Sequence, residues 1–306
     1  MESLFIPLSL IAGGLLTVQA GANGQLAKAV ASPFAATTIQ VFIAGLLLLL
    51  IAAFTGTVTA FGRLPAAPWW HLAGGMATAL YVASTILLFP RLGAVVSVGL
   101  FIAGQMVASL GLDTLGQLGI APKPVTSAAL LGTLAVLLGA VAIVFGQKAA
   151  ARDLSLSKLG WILLALIAGA VLPIQGALNG LLRADLGTPF PVGAFSFAIA
   201  TLSMLVVLPT ALLAGTPKPQ LGGLSAMPWW GWIGAICGAT YVTTMFTAIP
   251  VIGAATTVGL TVAGQQVTSL FVDRQGWFRL PKREISGLRF AGVALLLAGV
   301  AIIKFL

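Results

Sequence analysis

"FPRLGAVVSVGLFIAGQMVASLGLD", residues 89–113, returns 160 residues later as "IPVIGAATTVGLTVAGQQVTSLFVD", residues 249–273. Each copy runs about 20 apolar residues between a proline and an aspartate, enough to cross a ~30 Å hydrocarbon core as an α-helix. Neither shows the ten-residue dyad alternation of a membrane barrel strand, so helices are expected. Within each copy a Gln, a Ser and an Asp recur at i, i+4 and i+8. Gln105, Ser109 and Asp113 therefore share one helix face, as do Gln265, Ser269 and Asp273.

The rest of the chain agrees with this reading. With 59% hydrophobic residues, 7% charged residues and a mean hydropathy of +1.10, it is an all-α integral membrane protein by composition. Apolar runs fall at 4–26, 34–54, 69–89, 94–113 and 125–146, and again at 159–181, 190–214, 229–249, 254–273 and 286–305, which predicts ten transmembrane helices. The boundary signals recur too, "SPF" at 32–34 as "TPF" at 188–190, and "PWW" at 68–70 as "MPWW" at 227–230. The chain thus reads as a tandem duplication with an offset of 156 residues early and 160 later. Residues 1–147 form a first five-helix repeat, 148–158 a cytoplasmic linker and 159–306 a second repeat. Five is odd, so the second repeat enters the membrane from the opposite side, giving two inverted-topology repeats. The run 4–26 is expected to be a first membrane helix rather than a cleaved leader, because it is preceded by Glu2 and no Lys or Arg.

Lys and Arg divide unevenly between the two sides. Arg63, Lys123, Arg183 and Lys304 fall on the side of the termini, and the other eleven, including Lys28, Lys158 and Arg289, on the other. The positive-inside rule places both termini in the periplasm. The net charge of +9 lies between the spans and forms no stripe with interleaved aromatics, so no nucleic-acid partner is expected. Cys237, the one cysteine, lies in an apolar run and allows no disulfide framework, and the single His71 beside the Trp69–Trp70 belt is read as an ordinary interfacial residue. No Ser-His-Asp set, metal-spaced cluster or carboxylate pair is present, so neither an enzyme nor a cofactor is expected.

The chemistry available is that of uncharged amides. "VQAGANGQLAK" at 18–28 and "PIQGALNGLLR" at 173–183 place Gln19 with Asn23, and Gln175 with Asn179, on one helix face each. Amides in hydrocarbon need partners or a water-filled cavity, so Gln19, Asn23, Gln105, Gln175, Asn179 and Gln265 are expected to face inward, converging on a central substrate cavity with Ser109 and Ser269 on the same stripes and Tyr81 and Tyr241 at its walls. The alternative is that they hold helices together. Asp113 and Asp273 end their helices where the macrodipole disfavours a carboxylate, which calls for a basic partner such as Lys123 or Arg274, or a proton. They are candidates for gates or proton coupling, with a structural ion pair as the other reading. Gly132 with Gly139, and Gly292 with Gly299, suit close packing of the fifth span on the tenth.

"QAGANGQL" and the fourth-span motif, with their repeats "QGALNGLL" and "IPVIGAATTVGLTVAGQQVTSLFVD", resemble the YdcZ-type branch of the drug/metabolite transporter superfamily in a fused tandem form. The resemblance covers both halves. It implies a ten-helix carrier in a bacterial inner membrane that moves small molecules by alternating access, with export the commoner direction. The expected partners are a small-molecule solute, the lipid bilayer and a proton or other coupling ion. With no Lys or Arg within the spans away from their ends, neutral, zwitterionic or cationic organic solutes fit better than strong anions. A non-transporting structural or regulatory subunit, and a passive channel, are the readings set against it.

Overall fold

In a computed structural model, residues 2–92, 94–146, 159–280, 282 and 284–305 are described, and the expected linker at 148–158 lies outside them. Ten α-helices run in chain order: α1 Glu2–Ala29, α2 Pro33–Phe54, α3 Met76–Leu92, α4 Ala94–Leu115, α5 Ser127–Phe145, α6 Leu159–Leu186, α7 Pro189–Leu213, α8 Ile233–Ile252, α9 Ala254–Gln275 and α10 Gly287–Phe305. Short 3-10 stretches at Trp69–Gly75 and Trp229–Trp232 lead into α3 and α8. Among the described residues, nine of the ten helices are long and apolar enough to cross a membrane. The tenth, α9, equals α4 in length at 22 residues but carries three more threonines and two more glutamines, Gln266 and Gln275 being without a counterpart in α4. Its surroundings allow this, because α9 packs against α1, α4, α8 and α10 and thirteen of its residues are buried.

Local chemistry sets the helix ends in matching places. Ser32 precedes Pro33 and accepts a hydrogen bond from Ala35 N at 3.2 Å, the N-cap arrangement with proline in the first turn. Thr188, its counterpart before Pro189, has the same extended backbone but makes no side-chain cap bond. Thr126 and Ser286 cap α5 and α10, accepting from Ala129 N at 3.0 Å and Arg289 N at 3.2 Å. Between α8 and α9 the chain turns at Gly253 with φ 91°, a backbone that L side chains rarely adopt.

The helix packing is reciprocal. α1 packs on α8 and α9, while α6 packs on α3 and α4; α2 meets α7, and α5 meets α10. The last contact is the closest. A Cβ at Gly139 would fall 2.7 Å from the Gly292 carbonyl oxygen, one at Gly292 2.8 Å from that of Gly139, and Gly132 and Gly299 are opposed in the same way. The sequence expectation for these four glycines holds, since only hydrogen at Cα lets two backbones come so near.

Helix ends gather at two ends of the bundle. At the first, Lys304 Nζ lies 3.4 Å from Glu2, Arg63 donates to the Leu186 carbonyl oxygen at 3.1 Å, and His71 Nδ1 lies 2.5 Å from Asp185. At the second, Gln25 donates to the Phe278 carbonyl oxygen at 2.7 Å, Gln220 N to that of Val30 at 2.9 Å, and Ser286 to that of Gly146 at 2.6 Å. The outer surface is lipid-like, with Phe42, Leu138, Leu163, Leu202 and Phe290 exposed.

Candidate functional site

The two amide pairs meet equivalent surroundings, each made by the next helix of its own half and by residues of the opposite half. On α1, Asn23 Nδ2 donates to Gln40 Oε1 of α2 at 3.3 Å, and Gln40 Nε2 donates to the Gly234 carbonyl oxygen at 3.4 Å. A side chain at Gly238 of α8 would run into the amide nitrogens of Gln19 and Gln40. On α6, Asn179 Nδ2 donates to Ser196 Oγ of α7 at 2.9 Å, and Gln175 Nε2 to Thr78 Oγ1 of α3 at 3.1 Å. Gly74 makes room for Asn179 as Gly234 does for Asn23. The offsets already read from the sequence map Gln40 onto Ser196, Gly234 onto Gly74 and Gly238 onto Thr78.

The groups differ in satisfaction. The buried oxygens Gln19 Oε1 and Asn23 Oδ1 have no hydrogen-bond partner among the described residues. No buried oxygen of Gln175 or Asn179 is left so, and Asn179 is 1% exposed. A crevice too tight to admit a water molecule lies beside the first group, lined by Asn23, Gln40, Gly231 and Trp232 among others. An open cavity of about 500 Å³ at Arg274, Lys282, Glu284 and Ile285 lies at the second end, and among the described residues its lining includes none of the expected substrate-binding residues.

The six amides do not form a single cluster in the observed contacts. They fall into two groups, Gln19 and Asn23 toward the second end and Gln175 and Asn179 toward the first. Gln105 is buried on α4, and Gln265 is half-buried on α9, where its backbone oxygen accepts from Thr17 Oγ1 at 2.9 Å. Ser109 and Ser269 bond back to Met106 and Gln266 of their own helices at 3.0 and 2.7 Å. Tyr81 and Tyr241, near the middles of the spans Trp69–Leu88 and Trp229–Ile252, come close enough to interact electrostatically, and Tyr81 also packs on Phe101 with ring centroids 5.1 Å apart.

The carboxylates find other partners than expected. Asp113 Oδ1 accepts from Ala254 N at 2.7 Å and Oδ2 from Ala255 N at 2.8 Å, so it occupies the N-terminus of α9 in the opposite half. Lys123 stands beside it, with Nζ donating to the Ile252 carbonyl oxygen at 3.0 Å. Helix starts present free N–H groups and helix ends free carbonyls, which favour an anion and a cation respectively. Asp273 pairs with Arg289 at 2.7 Å and not with the expected Arg274, because Arg289 stands inside α10 facing α9. Arg289 is 4% exposed, and its Nη2 also donates to Ser269 Oγ at 3.1 Å.

Sequence reasoning missed Gln40, Thr78, Ser196 and the roles of His71 with Asp185 and of Arg289. The first three were open to a sharper reading, since Gln40 and Ser196 stand 17 residues after Asn23 and Asn179. Arg289 was assigned to a loop. No group of three or more His, Cys, Asp and Glu among the described residues could hold a metal ion.

The family model described as "Putative inner membrane exporter, YdcZ" matches the chain twice, over residues 4–142 and 160–302. No curated protein matches. A solved structure, described only as a crystal structure of a protein, superposes on 98% of this chain and 95% of its own with a TM-score of 0.69 at 17% identity, which speaks to the fold alone. With its long apolar helices, the chain is a multi-pass inner membrane protein of the transporter kind.

Proposed function

This chain belongs to the YdcZ family, in tandem form, and we propose that it exports small neutral, zwitterionic or cationic organic solutes by alternating access between two inverted repeats of five spans each. The reciprocal packing of α1 on α8 and α9, and of α6 on α3 and α4, supports the inverted plan, with α9 as the tenth span sheltered by its neighbours. Both termini then face the periplasm, as the Lys and Arg distribution requires.

One observation carries the substrate reading: among the described residues Gln19 Oε1 and Asn23 Oδ1 are buried without partners, whereas no buried oxygen of the counterpart amides Gln175 and Asn179 is left so. A buried acceptor left unpaired costs about 1–3 kcal/mol, so the arrangement suits a ligand that brings N–H or O–H donors. Ammonium and amide groups fit, and a carboxylate does not. Tyr81 and Tyr241, near the middles of their spans, would offer aromatic faces to a cation.

Purified protein in liposomes, assayed for counterflow with a panel of amines, amino acids and amides, tests this. Gln19→Leu should weaken apparent affinity about five- to hundred-fold with the fold intact, the loss expected for one substrate hydrogen bond. Normal transport by that variant removes Gln19 from the site, and failure to bind or move any panel member removes the exporter reading. The second reading, that amides are glue between helices, is favoured for Gln175 and Asn179 by their completed interhelical bonds.

A further inference from the structure

Two places that the duplication makes equivalent are packed differently. On α6, Gly176 and Gly180 are buried against α8: a Cβ at Gly176 would touch Ile249 and stand 3.8 Å from Met245 Cβ, and one at Gly180 would lie 3.1 Å from Pro250 Cγ. Their counterparts on α1 are Ala20 and Gly24. Both are exposed, and Gly24 faces open space. This is not the lipid side of α1, because Gly13, seven residues before Ala20 and on the same face, is buried against Thr261 of α9. The bundle is therefore shut where α6 meets α8, toward the first end. It is cleft where α1 would meet α3, toward the second.

Behind the shut contact is the turn from α8 to α9. Asp113 holds the first two amides of α9 and Lys123 the last carbonyl of α8, so the opposite half neutralises both helix ends at Gly253. In the other half, Asp273 is engaged by Arg289.

We propose that Asp113 and Lys123 are the latch of the shut end, and that the molecule alternates by trading this latch for its counterpart. When α3 closes onto Ala20 and Gly24 as α8 now closes onto Gly176 and Gly180, Asp273 leaves Arg289 and takes the start of α4, while Asp113 lets go of α9. The observed state opens toward the second end, the cytoplasmic side by the charge distribution. Asp113 and Lys123 act here as positioning residues that set which end is open. The inference rests on the alternating-access reading.

Disulfide trapping in native membranes tests it without any solute. In a Cys237→Ser background, one pair is Gly176→Cys with Met245→Cys, whose 3.8 Å separation suits a disulfide. The other is the equivalent pair Ala20→Cys with Thr85→Cys. Free thiols are counted by maleimide mass-tagging after denaturation, at equal membrane content. The first pair should close quickly and the second more slowly, each to completion. Asp113→Asn, and separately Lys123→Gln, should slow the first and speed the second, changing the ratio of rates about tenfold or more, as losing charged hydrogen bonds implies. Should Asp113→Asn fail to insert, Lys123→Gln carries the same comparison. A second pair that never closes, or a ratio left unchanged by an inserted variant, overturns the latch. A protein that trades disulfides but moves no solute keeps the latch and refutes the exporter; one that moves solute without ever closing the second pair does the reverse.

Discussion

The α1 and α6 segments are copies of one another, yet α6 is finished and α1 is not. Gln175 and Asn179 have partners, Gly176 and Gly180 are covered, and the adjoining helix junction is held by a carboxylate and an ammonium. Gln19 and Asn23 keep bare oxygens, and Ala20 and Gly24 face a cleft. A duplicated sequence folded into one chain thus shows the same design in two conditions, one packed and one poised. Differences between copies then report state as much as sequence.

The comparison can be broken first at the carboxylates. Arg289→Met strands Asp273 beside an apolar residue and should destabilise by about 3–5 kcal/mol, whereas Asp273→Leu with Arg289→Met together should recover most of it. Thermal melting in detergent reads this, and a double variant no better than the single would show that Arg289 does more than answer Asp273. A middle-sized effect belongs to the contact where the halves are alike. Gly139→Ala and Gly292→Ala each drive a methyl into the opposing backbone and should cost about 1–3 kcal/mol, equally in both. Unequal melting shifts would show that α5 and α10 do not share that contact evenly. The smallest test sits at the N-caps. Ser32→Ala should lose about 0.5–2 kcal/mol and Thr188→Ala close to nothing, since only Ser32 makes its cap bond. Equal losses would mean that Thr188 caps its helix in the membrane.

The spans were legible because twenty apolar residues announce themselves, and the duplication because prolines and tryptophans recur at fixed offsets. The polar interior was legible only by half. Gln19 and Asn23 stand out against an apolar run, but apart from Gln40 the residues that α8 sets around them are glycines, which carry no polar side chain to notice. Asp113 is the sharper case: its partners are backbone amides of residues 254 and 255, and composition cannot show which helix start a carboxylate will reach. Arg289 was hidden by its place two residues inside α10, where charge at a helix end passes for a loop residue. The state of the molecule, one end shut and the other open, is not in the sequence at all, because corresponding segments of the two copies take both arrangements.

The exchange of partners between halves also bears on how the chain is made. Gln40 Nε2 finds its acceptor at Gly234, 194 residues later, so at roughly 5–20 residues per second it waits about 10–40 s during synthesis before it can be paired. Through that interval α1 and α2 sit in the membrane with polar groups that only α8 can cover. A nascent chain halted after α5 would present those amides to the insertion and quality-control machinery as an incomplete protein, and its survival depends on how soon the second half arrives.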